Sequence, residues 1–99
     1  SGYVHVFYFE LSNIVRRYLE NRFSLRAPEM TTEEFLYSLK HTEKLSSDHK
    51  SLLREFMSHC DMVKFAKYRP EDREIESSYT SAKTLVEQTR DTLEGVKKD

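Results

Sequence analysis

Between Leu52 and Val63 the apolar side chains fall at Leu52, Leu53, Phe56, Met57, Cys60 and Val63. Intervals of one, three and four return to one side of a helix and to no single side of a strand. Any fold open to this chain must lay that stripe against other apolar surface. The same period appears upstream, at Val4, Phe7, Tyr8, Leu11, Ile14, Val15, Tyr18 and Leu19. It predicts a first helix over about residues 3–23, although the opening residues taken alone also alternate as a strand would. Ser24 to Glu29 breaks the pattern, and Pro28 turns the residue before it away from helical dihedrals.

Two shorter signals complete the outline. Thr31 and Glu34 have the spacing of a capping box, with Met30 and Phe35 placed as a hydrophobic staple. A second helix is expected to start there, bury Phe35, Leu36 and Leu39, and end near Thr42. Ser46 or Ser47 can cap the third helix, with Asp48 at the positive end of its dipole. Pro70 is expected to fix the break after it and to open a fourth helix reaching about Gly95, with Glu71 and Asp72 in the first turn. In that helix Ile75, Tyr79, Ala82, Val86, Thr89, Leu93 and Val96 form an a/d heptad seam. The seam is expected to pack within the chain; its C-terminal part also offers a homodimer contact through helix four.

With 2 glycines and 2 prolines in 99 residues, the composition favours long helices over a β-sandwich, which needs more turn residues. An apolar share of 37%, including 6 Phe and 6 Tyr, supports one modest core. The expected fold is all-α: residues 1–99 as a single domain, an irregular bundle of four helices. The chain opens Ser1-Gly2 and enters Tyr3 without a turn signal, which reads as a piece of a longer protein.

Net charge is −1, so no overall basic field draws the chain to nucleic acid or anionic lipid. One cysteine forms no internal disulfide. His59 and Cys60 are neighbours and diverge by about 100° around a helix, so adjacency does not pair them as base and nucleophile. His5, His41 and His49 have no partner at metal spacing. The paired carboxylates stand at helix starts or outer faces, where the dipole and solvent account for them. No cofactor, metal or catalytic constellation emerges, and the expectation is a protein that is not an enzyme.

What core packing does not absorb is Lys64-Phe65-Ala66-Lys67-Tyr68-Arg69. Met62, Phe65 and Ala66 suit a helix end tucked into the core, with the basic residues left in water. Cations alternating with aromatics also suit a docking site for an acidic or aromatic partner, or single-stranded nucleic acid held by phosphate pairing and stacking through Arg16, Arg17, Lys64, Lys67 and Arg69. Asp61 and Lys64, three apart, are placed for a helix-surface ion pair.

Three segments taken in order carry a resemblance: Leu11 to Phe23 with Arg16-Arg17-Tyr18-Leu19, then Met30-Thr31-Thr32-Glu33-Glu34-Phe35-Leu36, then Cys60-Asp61-Met62-Val63-Lys64-Phe65-Ala66-Lys67-Tyr68-Arg69-Pro70. Together they resemble the cytosolic region at or near the C-terminus of BatD-type aerotolerance membrane proteins of bacteria and of related short membrane proteins. The resemblance implies a transmembrane helix upstream of Tyr3 and a location on the cytoplasmic face of the inner membrane. It also implies partners among von Willebrand factor A-domain proteins and MoxR-type AAA+ ATPases. It supplies no catalytic residues. The expected function is a non-enzymatic protein-interaction module with Arg16, Arg17, Asp61, Lys64, Lys67, Tyr68 and Arg69 as its candidate partner-binding residues; the alternative is a nucleic-acid-binding helical domain using residues 64–69.

Overall fold

Four helices follow in order: α1 (Gly2–Arg22), α2 (Thr32–Leu39), α3 (Ser47–Phe65) and α4 (Asp72–Lys98). The structure, a computed structural model, describes residues 2–24 and 30–98, with side chains up to residue 90. The break expected around Pro28 and the side chains of Leu93 and Val96 lie outside the described residues. The chain is an all-α four-helix bundle, and the strand-like opening residues are helical.

The second, third and fourth helices each begin for a local reason. Thr31 Oγ1 accepts the Glu34 N–H at 3.2 Å, and Glu34 Oε1 accepts the Thr31 N–H at 2.9 Å, the reciprocal box that the spacing predicts. Ser46, not Ser47, caps α3 by accepting the His49 N–H at 3.0 Å. At α4 the Glu71 N–H donates to Glu74 Oε1 at 2.9 Å. Glu71 and Pro70 therefore precede the helix and do not form its first turn. The stops differ more. α2 ends at Leu39, short of Thr42, and α4 continues past Gly95 to Lys98. α3 ends at Phe65, well before Pro70, because Lys67 takes a left-handed φ of 58° and sends the Tyr68 N–H back to the Met62 carbonyl at 3.1 Å.

The core joins Tyr8, Leu11, Val15 and Leu19 of α1 to Leu53, Phe56, Met57, Cys60 and Val63 of α3 and to Ala82 and Leu85 of α4. Phe35 and Leu39 bring α2 onto α3, and Leu45 anchors the chain between them. Pairings along the helices give the directions. Tyr8 meets Ser78 and Tyr18 meets Thr89, so α1 and α4 run parallel. His49 meets Gln88 and His59 lies against Glu74, so α3 runs antiparallel to α4.

Packing corrects the apolar stripes in three places. Ile14 is 60% exposed, because it sits a full residue's rotation, about 100°, from the buried Val15. On α4 the buried column is Ser78, Ala82, Leu85 and Thr89, and Tyr79, expected on the seam, is 55% exposed. Ala82 and Thr89 are buried as the heptad seam expects, and Ser78 and Leu85 are buried where it placed Tyr79 and Val86. At the end of α3, Met62 and Phe65 are 45% and 69% exposed and Ala66 is exposed, so they are not tucked into the core. The core-facing side of that last turn is already filled by Cys60 and Val63.

Candidate interaction surface

Alongside its buried column, α1 carries a second row at His5, Phe9, Ser12 and Arg16, spaced four, three and four. That spacing keeps the row on one flank of the helix. Antiparallel packing sets the last turns of α3 beside it. Phe9 and Phe65 meet edge to face at 5.9 Å, and His5 lies 4.9 Å from Phe9. Lys64 reaches over both phenyl rings, 4.8 Å from Phe9 and 5.0 Å from Phe65, and donates to Ser12 Oγ at 3.2 Å. Cation–ring contacts of this kind contribute roughly 0.5–1 kcal/mol at exposed sites.

Arg16 ends the row. Its guanidinium donates to the Met30 carbonyl, stands 5.1 Å over the Phe35 ring, and holds Nε 3.8 Å from Glu20 Oε2. The start of α2 is thereby tied to α1. Arg16, Asp61 and Lys64 share the lining of a groove of about 530 Å³ with Thr31, Thr32 and Phe65. Asp61 and Lys64 do not form the expected ion pair among the described residues, because Lys64 turns to Ser12 and the rings.

The remaining candidates separate. Lys67, Tyr68 and Arg69 line a different groove, of about 450 Å³, with Val4, His5 and Pro70. Arg17 is exposed on the outer side of α1, away from both grooves. Among the described residues the side chains of Arg17, Lys67 and Arg69 have no ion-pair or hydrogen-bond partner. Tyr68 is committed within the chain: its hydroxyl donates to Glu74 Oε2 at 2.6 Å and its ring meets His59 at 5.7 Å. That hydrogen bond to a carboxylate pushes its phenol above the ordinary value.

Behind Tyr68 lies a polar cluster that residue spacing did not reveal. The Tyr8 hydroxyl lies 2.8 Å from Ser78 Oγ and 3.2 Å from His59 Nε2, and His59 Nε2 lies 3.9 Å from Glu74 Oε2. Burial pushes the Tyr8 phenol up. The Glu74 carboxyl is held below its ordinary value by the Glu71 N–H and then by the Tyr68 hydroxyl. The one legible signal was Ser78, a hydroxyl one turn from both Ile75 and Ala82. The cluster joins α1, α3 and α4 and orients the turn carrying Lys67 and Arg69.

Cys60 is fully buried, and burial pushes its thiol up to about 12, leaving negligible thiolate at neutral pH. Among the described residues no group of three or more His, Cys, Asp or Glu could hold a metal ion, and no helix is long and apolar enough to cross a membrane. No protein family, curated protein or solved structure matches the chain.

Proposed function

We propose that this chain is a protein-interaction module without catalytic activity of its own, and that the edge between α1 and the end of α3 receives the partner. One observation carries the reading: Phe65 stands 69% exposed with the Lys64 ammonium 5.0 Å from its ring, while Lys67 and Arg69 line the groove between α1 and the turn that follows. Covering an exposed aromatic buries apolar area, and an acidic partner pairs the cation beside it and offsets that cation's desolvation. The resemblance to BatD-type proteins supplies the setting: a cytoplasmic position on the bacterial inner membrane, with an A-domain protein or a MoxR-type ATPase as partner.

Binding of purified von Willebrand A-domain and MoxR-type proteins to the immobilised chain tests this. Retention that is lost in Phe65→Ala with circular dichroism unchanged supports it. No retention of either partner class sinks the setting.

The nucleic-acid reading rests on the same exposed ring and cations. It requires affinity for single strands that falls steeply as salt rises. The protein reading is favoured because Tyr68, the other ring a base would stack on, is held against His59 and bonded to Glu74.

A further inference from the structure

The groove between the start of α1 and the turn after α3 has a specific composition. Val4, Val63 and Pro70 give it apolar walls; His5, Lys67 and Arg69 stand with Tyr68 as its ionisable lining. Among the described residues no carboxylate lines it, in a chain with 17 acidic residues against 16 basic ones. Glu71 and Asp72 follow directly but precede or open α4 and lie outside the lining. Glu74 Oε2 accepts from Tyr68, and Oε1 from the Glu71 N–H, so this carboxylate is spent on the wall and leaves the cations unmatched.

The backbone adds a second, independent observation. Lys67 holds a φ of 58°, a conformation that a side-chain-bearing residue adopts only at a cost. Glycine relaxes such a helix stop, and the chain has lysine there. The left-handed turn places the lysine and, two residues on, Arg69 on the lining of one groove.

We propose that this groove docks an acidic peptide segment with an apolar anchor. The anchor enters between Val4, Val63 and Pro70, and flanking carboxylates meet Lys67 and Arg69. The proposal rests on the interaction reading above and names the chemistry of the partner segment. Charge complementarity selects it: a rim whose described residues are cations without a carboxylate rejects basic segments, and an apolar floor gains nothing from a uniformly charged polyanion.

The test is fluorescence anisotropy with a labelled peptide that alternates glutamate with leucine and phenylalanine. A lysine-for-glutamate version and an oligothymidylate of equal charge serve as comparisons. The acidic peptide is expected to bind, the basic one not, and the oligonucleotide about tenfold or more weaker. Lys67→Gly together with Arg69→Gln is expected to weaken the acidic peptide about tenfold or more, the size of a lost contact pair. Lys67→Gly keeps and relaxes the turn, so loss of binding in that variant cannot be laid to unfolding. Equal binding of acidic and basic peptides, oligonucleotide binding as tight as the peptide's, or full affinity in the double variant each overturns the proposal. Failure here is separable from failure of the module reading: if A-domain or ATPase retention survives in the double variant, the module stands and uses another part of the edge.

Discussion

Glu74 places one carboxylate among three partners: the Glu71 N–H, the Tyr68 hydroxyl and, at longer range, His59. Its folded pKa is lowered, so its contribution to stability is present above its ordinary value near 4.5 and is lost as pH falls through the lowered one. Urea unfolding of Glu74→Gln against the parent chain is therefore expected to show a gap at neutral pH that shrinks on the acid side of 4.5. A gap independent of pH would mean that the carboxylate's charge does not matter here. Cys60 gives a second prediction. With the thiol buried and pushed up to about 12, a thiol reagent at mildly alkaline pH should react far more slowly with the native chain than with the chain in guanidinium. Equal rates would place the thiol at the surface. Lys67 gives a third. Lys67→Gly is expected to add about 1 kcal/mol of stability, read as a higher urea midpoint at unchanged m-value, since it removes a left-handed side chain from the folded state.

On α4 the apolar pattern misleads at two positions and holds at Ala82 and Thr89. Its heptad reading selects Tyr79 and Val86, whereas the buried column runs through Ser78 and Leu85. The shift has a chemical cause. α1 brings Tyr8 to Ser78, beside the seam, at 2.8 Å, and Tyr18 to Thr89, already on the seam, at 2.6 Å. A buried phenol without a partner costs about 1–3 kcal/mol, enough to choose a helix rotation. The register makes a direct prediction. Leu85→Ala should cost about 2–5 kcal/mol, while Tyr79→Ala should stay within about 0.5 kcal/mol. At this chain length each kcal/mol moves the melting temperature by about 4–8 °C, so thermal denaturation separates the two. The reverse order would restore the heptad reading. α2 is the opposite case: its capping box, half-buried Met30 and buried Phe35 were all legible in advance.

At the scale of the whole molecule, one continuous core serves all four helices, in a body of 47 × 26 × 19 Å. Tyr8 touches the polar cluster and the core at once, so the turn that carries Lys67 and Arg69 is coupled to the bundle. Loss of helix by circular dichroism and loss of the tyrosine environment by fluorescence should therefore share one urea midpoint. Separate midpoints would mean that the cluster opens ahead of the core. The chain has no tryptophan, which keeps the tyrosine signal clean.

The sequence by itself determined the helical class, the number of helices, the cap at Thr31 and the inner face of α3, and narrowed the cap of α3 to Ser46 or Ser47. These depend on periodicity and on contacts between residues a few positions apart, which the chain carries locally. Only the tertiary structure decided the rotation of α4, the stop of α3 at Lys67 and the grouping of the candidate residues. Arg16, Asp61 and Lys64 fell to one groove, Lys67, Tyr68 and Arg69 to another, and Arg17 to neither. Those outcomes depend on which hydroxyl a distant tyrosine reaches and on which flank an antiparallel neighbour covers. Spacing within one helix contains neither quantity. His59 shows the difference most clearly: beside Cys60 in sequence it had no partner, and across the bundle it lies within 4 Å of both Tyr8 and Glu74.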